Sequence, residues 1–236
     1  MPAGSGVGDV AVVIPARNEA DRIAATVTAA AGLAGVGLVV VVDDGSQDGT
    51  GALAGRAGAV VMRHARNRGK AAAMQTGADA VSLVDQRERR ERPRHLLFLD
   101  ADLAESAAQA GPLAVPVVAG TADMTIAVFA ATVKLGGHGL VVGLSGAGIR
   151  RAVGWRPLQP LNGQRCLTRA AFEAARPLAP GWGVETALTI DLLRKGLRVT
   201  EVEVELAHRA TGTGLRAQLH RARQLTDVAR ALAARI

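Results

Sequence analysis

The sequence predicts an α/β protein with a mostly parallel central sheet sandwiched between helices. Three observations predict it. Short runs of Val, Leu and Ile alternate with Ala-rich segments of helical period. The run 38–42 is almost pure Leu and Val, as expected of a strand buried on both faces. Three such runs end in polar, chemistry-bearing residues, the place where parallel sheets collect functional groups.

Residues 9–15 are a β-branched strand ending at Pro15, and 19–31 form an Ala-rich helix with Ile23, Val27 and Ala30 at helical spacing. The strand 38–42 runs into Asp43 and Asp44, after which Ser46 or Asp48 caps a helix over 49–57. A short strand at 59–62, a helix from 70 to 82 and an apolar strand at 95–99 continue the alternation. Further on, the pattern predicts a helix over 107–118 interrupted by Pro112 and Pro116, a strand at 124–128, a helix entered over 167–175 and an amphipathic helix at 185–195. Residues 198–206 alternate Val with Glu and Thr like a half-exposed strand, and 215–236 form a helix with one apolar and one basic face. The glycine-rich stretch 136–148 lacks the context of a dinucleotide loop and reads as an acceptor-side loop or a tight helix contact.

Composition bounds the function. With 49% hydrophobic and 21% charged residues the chain is globular rather than disordered, and 2% aromatics with no Tyr leave the core to Ala, Val, Leu and Ile. No apolar run approaches the roughly 20 residues of a membrane span, and no basic flank and apolar run mark a secretory signal, so the expectation is a cytoplasmic protein. The basic face of 215–236 leaves contact with the inner face of a membrane open, as it does a homodimer. Cys166 is the only cysteine, which excludes an internal disulfide and reads as a small buried hydrophobe. The formal charge of +7 suits anionic partners, but the scarcity of stacking aromatics argues against nucleic acid. The run 87–94 mixes both signs and reads as a solvated linker, with a polyanion site as the alternative.

Asp100 and Asp102 flank Ala101 just past a buried strand, so both carboxylates can reach one point beyond the sheet. Mg²⁺ takes only one or two protein carboxylates and completes its shell with water and phosphate oxygens, which suits a bound diphosphate. Acidic and hydroxyl groups over 43–50 can meet a base edge or ribose, or simply cap the next helix. Gly69 and Lys70 offer a turn and a point charge at a helix start.

Taken in order, the segments 15–19, 43–50, 69–70 and 100–102 resemble family 2 and related glycosyltransferases of GT-A fold. Segments 158–163, 179–185 and 207–209 resemble the acceptor half of glucosyl-3-phosphoglycerate synthases. The resemblance implies one GT-A domain over 1–236, with a nucleotide-sugar half at 9–102 and an acceptor half at 103–236. It implies that Asp43 or Asp44 contacts uracil or another base, Glu19 the ribose, Lys70 the diphosphate and Asp100 the ribose or sugar. Pro15, Ala16, Arg17 and Ala101 belong to the same nucleotide-sugar pocket. Asp102 and His208 would ligate a divalent cation, Mg²⁺ or Mn²⁺. Glu185 would sit at the acceptor as base or orienting group, and Asn162, Gly163, Arg165 and Arg209 would bind it.

The implied reaction moves a hexose from a nucleotide diphosphate sugar, a UDP-sugar, to a small acidic acceptor. The region around the acceptor departs from the synthases, offering Asn162, Gln164, Arg165 and Thr211. Polyprenyl-phosphate sugar transferases share the first half, so a lipid-phosphate acceptor at a membrane surface is the alternative. A non-catalytic nucleotide-sugar-binding module is the rival of another class. A nucleotidyltransferase is disfavoured, since its glycine- and arginine-rich loop is replaced by 15–19.

Overall fold

A computed structural model describes residues 8–129, 139–206 and 215–236. The first half runs β1 (Val10–Ala16), α1 (Ile23–Ala31), β2 (Val36–Asp43), α2 (Thr50–Arg56), β3 (Val60–Arg63), α3 (Lys70–Arg87) and β4 (His95–Phe98). A 3-10 helix (Ala104–Leu113), α4 (Val115–Val118), β5 (Met124–Phe129), α5 (Gly139–Val153), β6 (Arg165–Leu167), α6 (Arg169–Ala174), α7 (Val184–Arg194), β7 (Val199–Val204) and α8 (Leu215–Ala233) follow. Among the described residues seven strands form one sheet in the order β3-β2-β1-β4-β6-β5-β7. Pairings are parallel except those of β6, which runs against both β4 and β5.

The period of two along β1 builds both sides of the core. Val10, Val12 and Ile14 face α1 and the 3-10 helix, while Ala11 and Val13 face α3 and α7. With residues 10–14 of β1 and 39–42 of β2 all buried, neither strand tolerates a polar residue before its carboxyl end. A third cluster joins α5, α7 and α8 through Ile149, Ile190, Val228 and Leu232.

Several expectations shift. The first helix starts at Ile23 rather than 19, because 19–22 form a turn in which Glu19 O accepts from both Arg22 N and Ile23 N. The third helix continues past 82 to Arg87. Residues 104–113 are 3-10 rather than α, with Pro112 inside. The glycine-rich stretch is helical from Gly139, and its Gly148 is a tight helix contact: a Cβ there would lie 2.3 Å from Leu232 Cδ2. The unforeseen element is β6; the helix after it begins only at Arg169, with Thr168 Oγ1 accepting from Ala171 N as its cap.

The run 87–94 is not merely solvated. Arg94 is 4% exposed and paired with Asp85 and Glu88, and Arg90 pairs with Asp9. Among the described residues no helix is long and apolar enough to cross a membrane.

Candidate functional site

The loops at the carboxyl ends of β1 and β2 hold one another. Ser46 Oγ accepts from Asn18 N at 3.0 Å, Thr50 Oγ1 from Glu19 N at 2.9 Å, and Asn18 Oδ1 from Gln47 N at 2.9 Å. Ala16 O accepts from Asp44 N at 2.9 Å. Hydroxyls and amides of 43–50 thus fix the backbone that carries Arg17 and Glu19 at the rim, with Pro15 and Ala16 closing β1 beneath them. Thr50's hydroxyl, on Asp48, lowers that carboxyl's pKa.

Asp43 and Asp44, expected at a base, are almost wholly buried and engaged by the chain. Asp43 Oδ1 accepts from Ser46 N at 2.8 Å, and its Oδ2 lies 3.5 Å from Arg63 Nε. Asp44 accepts from Arg68 N and Gly69 N, both at 2.8 Å, and lies 2.7 Å from His64 Nδ1. Burial opposes its charge, but His64 and the two backbone amides outweigh that and lower its pKa. These bonds fix the turn before α3, where Gly69 at φ +88° has a backbone few other residues adopt. Asp44 therefore delivers Lys70 to the site.

Lys70 is where the halves of the chain meet. Its Nζ lies 2.9 Å from Asp100 Oδ1, past β4, and 3.1 Å from Glu185 Oε1, in the first turn of α7. Burial disfavours the ammonium, yet these two carboxylates prevail and raise its pKa above the ordinary lysine value. Gln164 Nε2 donates to Asp100 Oδ2 at 2.7 Å, so both oxygens of Asp100 are held. Gly163 makes the approach possible, since a Cβ there would stand 2.3 Å from Lys70 Nζ. The next turn is tied to α1: Thr26 Oγ1 donates to Ala101 O at 2.8 Å, and Arg22 Nη1 to Asp102 O at 3.1 Å. Asp102 is half-buried at that turn.

Lys70, Asp100, Gly163 and Glu185 come together, a grouping across the expected nucleotide-sugar and acceptor sets, while the side chain of Arg165, expected beside Gly163 and Glu185 at the acceptor, is turned into the chain. It is 1% exposed, and its guanidinium donates to Asn162 O, Pro160 O, Glu185 O and Thr189 Oγ1. Burial draws its pKa down to about 10 against the attraction of Glu185 and Glu201, which leaves it charged at neutral pH. Arg165 fixes the turn and helix beneath the site and is not an acceptor contact. Asn162, likewise buried, closes the turn by accepting from Gln164 N and donating to Gln159 Oε1. His208, Arg209 and Thr211 lie outside the described residues.

The turn before α7 rests on α8. A Cβ on Gly181 would lie 2.2 Å from Asp227 Oδ2, and one on Gly183 2.6 Å from Ala231 Cβ. Val228 and Leu232 are buried there too, so this part of the apolar face of α8 packs on its own domain. Sequence reading missed two contacts: Gln164 on Asp100, and His64, which bridges Asp44 to Thr76 Oγ1 at 3.0 Å. The signal for His64 was its place just past β3, level with the other strand ends.

Among the described residues no group of three or more His, Cys, Asp and Glu could hold a metal ion. The model of a family described as Glycosyl transferase family 2 matches residues 11–138. The chain belongs to glycosyl transferase family 2. This family 2 chain is 36% identical over 94 residues to the uncharacterized protein MJ1222 of Methanocaldococcus jannaschii, covering 40% of this chain and 35% of that protein. It is 28% identical over 209 residues to the glycosyltransferase AglJ of Haloferax volcanii, covering 86% of this chain and 65% of the relative. It thus spans about a third of one relative and just under two thirds of the other.

Glucosyl-3-phosphoglycerate synthase of Mycobacterium tuberculosis in complex with phosphoglyceric acid superposes with a TM-score of 0.77 at 26% identity, over 98% of this chain and 80% of that one. The same synthase with Mn²⁺, uridine diphosphate and phosphoglyceric acid gives 0.78 at 25% identity, over 98% and 79%. The architecture is the GT-A fold, as the order of the sequence motifs implied.

Proposed function

We propose that this family 2 protein transfers a hexose from a nucleotide diphosphate sugar, a UDP-sugar, to a small anionic acceptor, as a single GT-A domain. The observation that carries the reading is Lys70 set between Asp100 of the nucleotide half and Glu185 of the acceptor half. Three strand ends converge there, and the synthase is similar in fold and has been crystallised with UDP, Mn²⁺ and phosphoglyceric acid.

In this reading Glu19 and the 43–50 loop receive the nucleoside, with Pro15, Ala16, Arg17 and Ala101 shaping the pocket. Asp43 and Asp44 act by fixing that loop and the turn before Lys70. Asp100, held on both oxygens, orients the ribose or sugar. Asp102, half-buried at the turn past β4, is the carboxylate proposed for the cation, with His208 as second ligand. One or two protein ligands fit Mg²⁺ or Mn²⁺ completed by phosphate oxygens. The bound cation would neutralise charge developing on the departing diphosphate. Glu185, fixed by Lys70, orients the acceptor; an ionised phosphate or carboxylate needs no base, so positioning suffices. Arg209 is the remaining cation proposed for the acceptor.

The test is calorimetric titration of nucleotide sugars with and without Mg²⁺ or Mn²⁺. UDP-sugar binding should require the cation and be lost in Asp102→Ala with unfolding behaviour unchanged. Undiminished turnover in excess EDTA contradicts the metal assignment.

A further inference from the structure

The polar side chains of 159–165 are matched with one exception. Arg165 donates to Asn162 O, Pro160 O, Glu185 O and Thr189 Oγ1, and Asn162 uses both ends of its amide, accepting from Gln164 N and donating to Gln159 Oε1. Gln159 Nε2 donates in turn to Phe129 O. Gln164 is wholly buried, yet its Oε1 has no hydrogen-bond partner among the described residues. Its Nε2 donates to Asp100 Oδ2 at 2.7 Å.

The orphaned oxygen follows from where the amide points. Turned over, the amide would set Oε1 against Asp100 Oδ2, acceptor against acceptor, so only the NH2 group can face the carboxylate. The fold does not need this contact, because the main chain already fixes residue 164: its N donates to Asn162 Oδ1 and its O accepts from Ala127 N, both at 3.0 Å. A buried acceptor without a partner costs stability, and an apolar side chain of the same length would fill the space without that cost. What the amide alone supplies is a donor to Asp100.

Charge explains why that donor is neutral. Lys70 already stands between Asp100 and Glu185, one ammonium against two carboxylates, and a carboxylate in place of the Gln164 amide would add a third negative group beside them. An apolar residue would leave Oδ2 to water, since the Asp100 side chain is 27% exposed. Lys70 on Oδ1 and Gln164 on Oδ2 together remove the carboxylate's freedom about χ2, a torsion that is otherwise broad.

We propose that Gln164 is a positioning residue for sugar transfer, which holds Asp100 in the orientation that meets the ribose or sugar of the donor. The role rests on the reading of Asp100 as the group that orients the donor. Its test is a double-mutant cycle of Gln164→Met and Asp100→Asn in the full chain, read as single-turnover and steady-state release of nucleoside diphosphate from a UDP-sugar, with denaturant unfolding of each variant alongside. Gln164→Met should lower kcat about tenfold, the scale of one lost charge-assisted hydrogen bond, and leave donor KM little changed. Its unfolding midpoint should be unchanged or higher, which a merely structural glutamine would not show. In the Asp100→Asn background the same change should cost little more, because Gln164 acts through Asp100.

Wild-type kcat in Gln164→Met, or losses that multiply with those of Asp100→Asn, overturns the role of Gln164 and leaves the reading of Asp100 standing. Wild-type turnover in Asp100→Asn, or no turnover of any nucleotide sugar by the wild-type chain, overturns that reading and the role of Gln164 with it.

Discussion

The two halves of the sheet are held by different means. In β3-β2-β1-β4 the strands pair in parallel, and the functional loops are fixed by side chains close by: Ser46, Thr50 and Asn18 between two adjacent loops, Asp44 on the turn before α3. In β6-β5-β7 the three-residue strand β6 runs backwards, and one buried arginine ties a turn to α7. The first half therefore shapes its cradle with polar side chains at the surface of the core. The second half delivers Gly163, Gln164 and Glu185 through a group buried within it.

The largest effect that separates these modes is Arg165→Met. It strips donors from three buried carbonyls and from Thr189, and should destabilise the protein by about 3 kcal/mol in denaturant unfolding. If Arg165 instead touched an acceptor, its loss would raise acceptor KM with stability unchanged.

The next comparison uses matched glycines. A Cβ on Gly77 would stand 2.3 Å from Val13 Cγ1 and 3.2 Å from Val42 Cγ2, both on stiff, wholly buried β-branched residues. Gly77→Ala should cost about 2 kcal/mol even after the roughly 1 kcal/mol that Ala gains inside a helix. Gly148→Ala meets only the end of Leu232, which can turn aside. Its net change should be near zero, and a reversed ranking would mean that the second half is the more rigidly packed.

The smallest effect is a pH slope. Burial and, less strongly, Arg169 lower the pKa of His95 from 6.5, against the pull of Asp9. The unfolded chain then binds the proton first, so this stability is fully present above pH 6.5 and is lost as pH falls toward the folded-state pKa. His95→Gln should flatten that slope in unfolding measured from pH 7 to pH 5.5.

The first half was the more legible because its signals are local: period-two burial along β1, the apolar run of β2, polar residues at each strand end. Helix starts were misplaced where backbone amides of 18–20 bond across to 43–50, a contact no local pattern reveals. A strand of three residues such as β6 has too few positions to show a period, and only pairing with β4 and β5 makes it one. The helix α5 was hidden by its own glycines, of which Gly148 serves a helix contact rather than a turn. Arg165 follows Asn162, Gly163 and Gln164, a polar sequence that reads as surface; its burial depends on α7, distant in the chain.

The central claim is that Lys70 joins Asp100 and Glu185 into one working site across the two halves. A double-mutant cycle tests it most directly, with nucleoside diphosphate release from a UDP-sugar and acceptor as readout for Lys70→Met, Glu185→Gln and the pair. Groups that act as a unit are strongly non-additive. The account predicts that Lys70→Met lowers kcat by about three orders of magnitude, as loss of a charge fixing the reacting geometry can, and that adding Glu185→Gln costs little more. Losses that simply multiply would show that Lys70 and Glu185 work independently, and would contradict the claim.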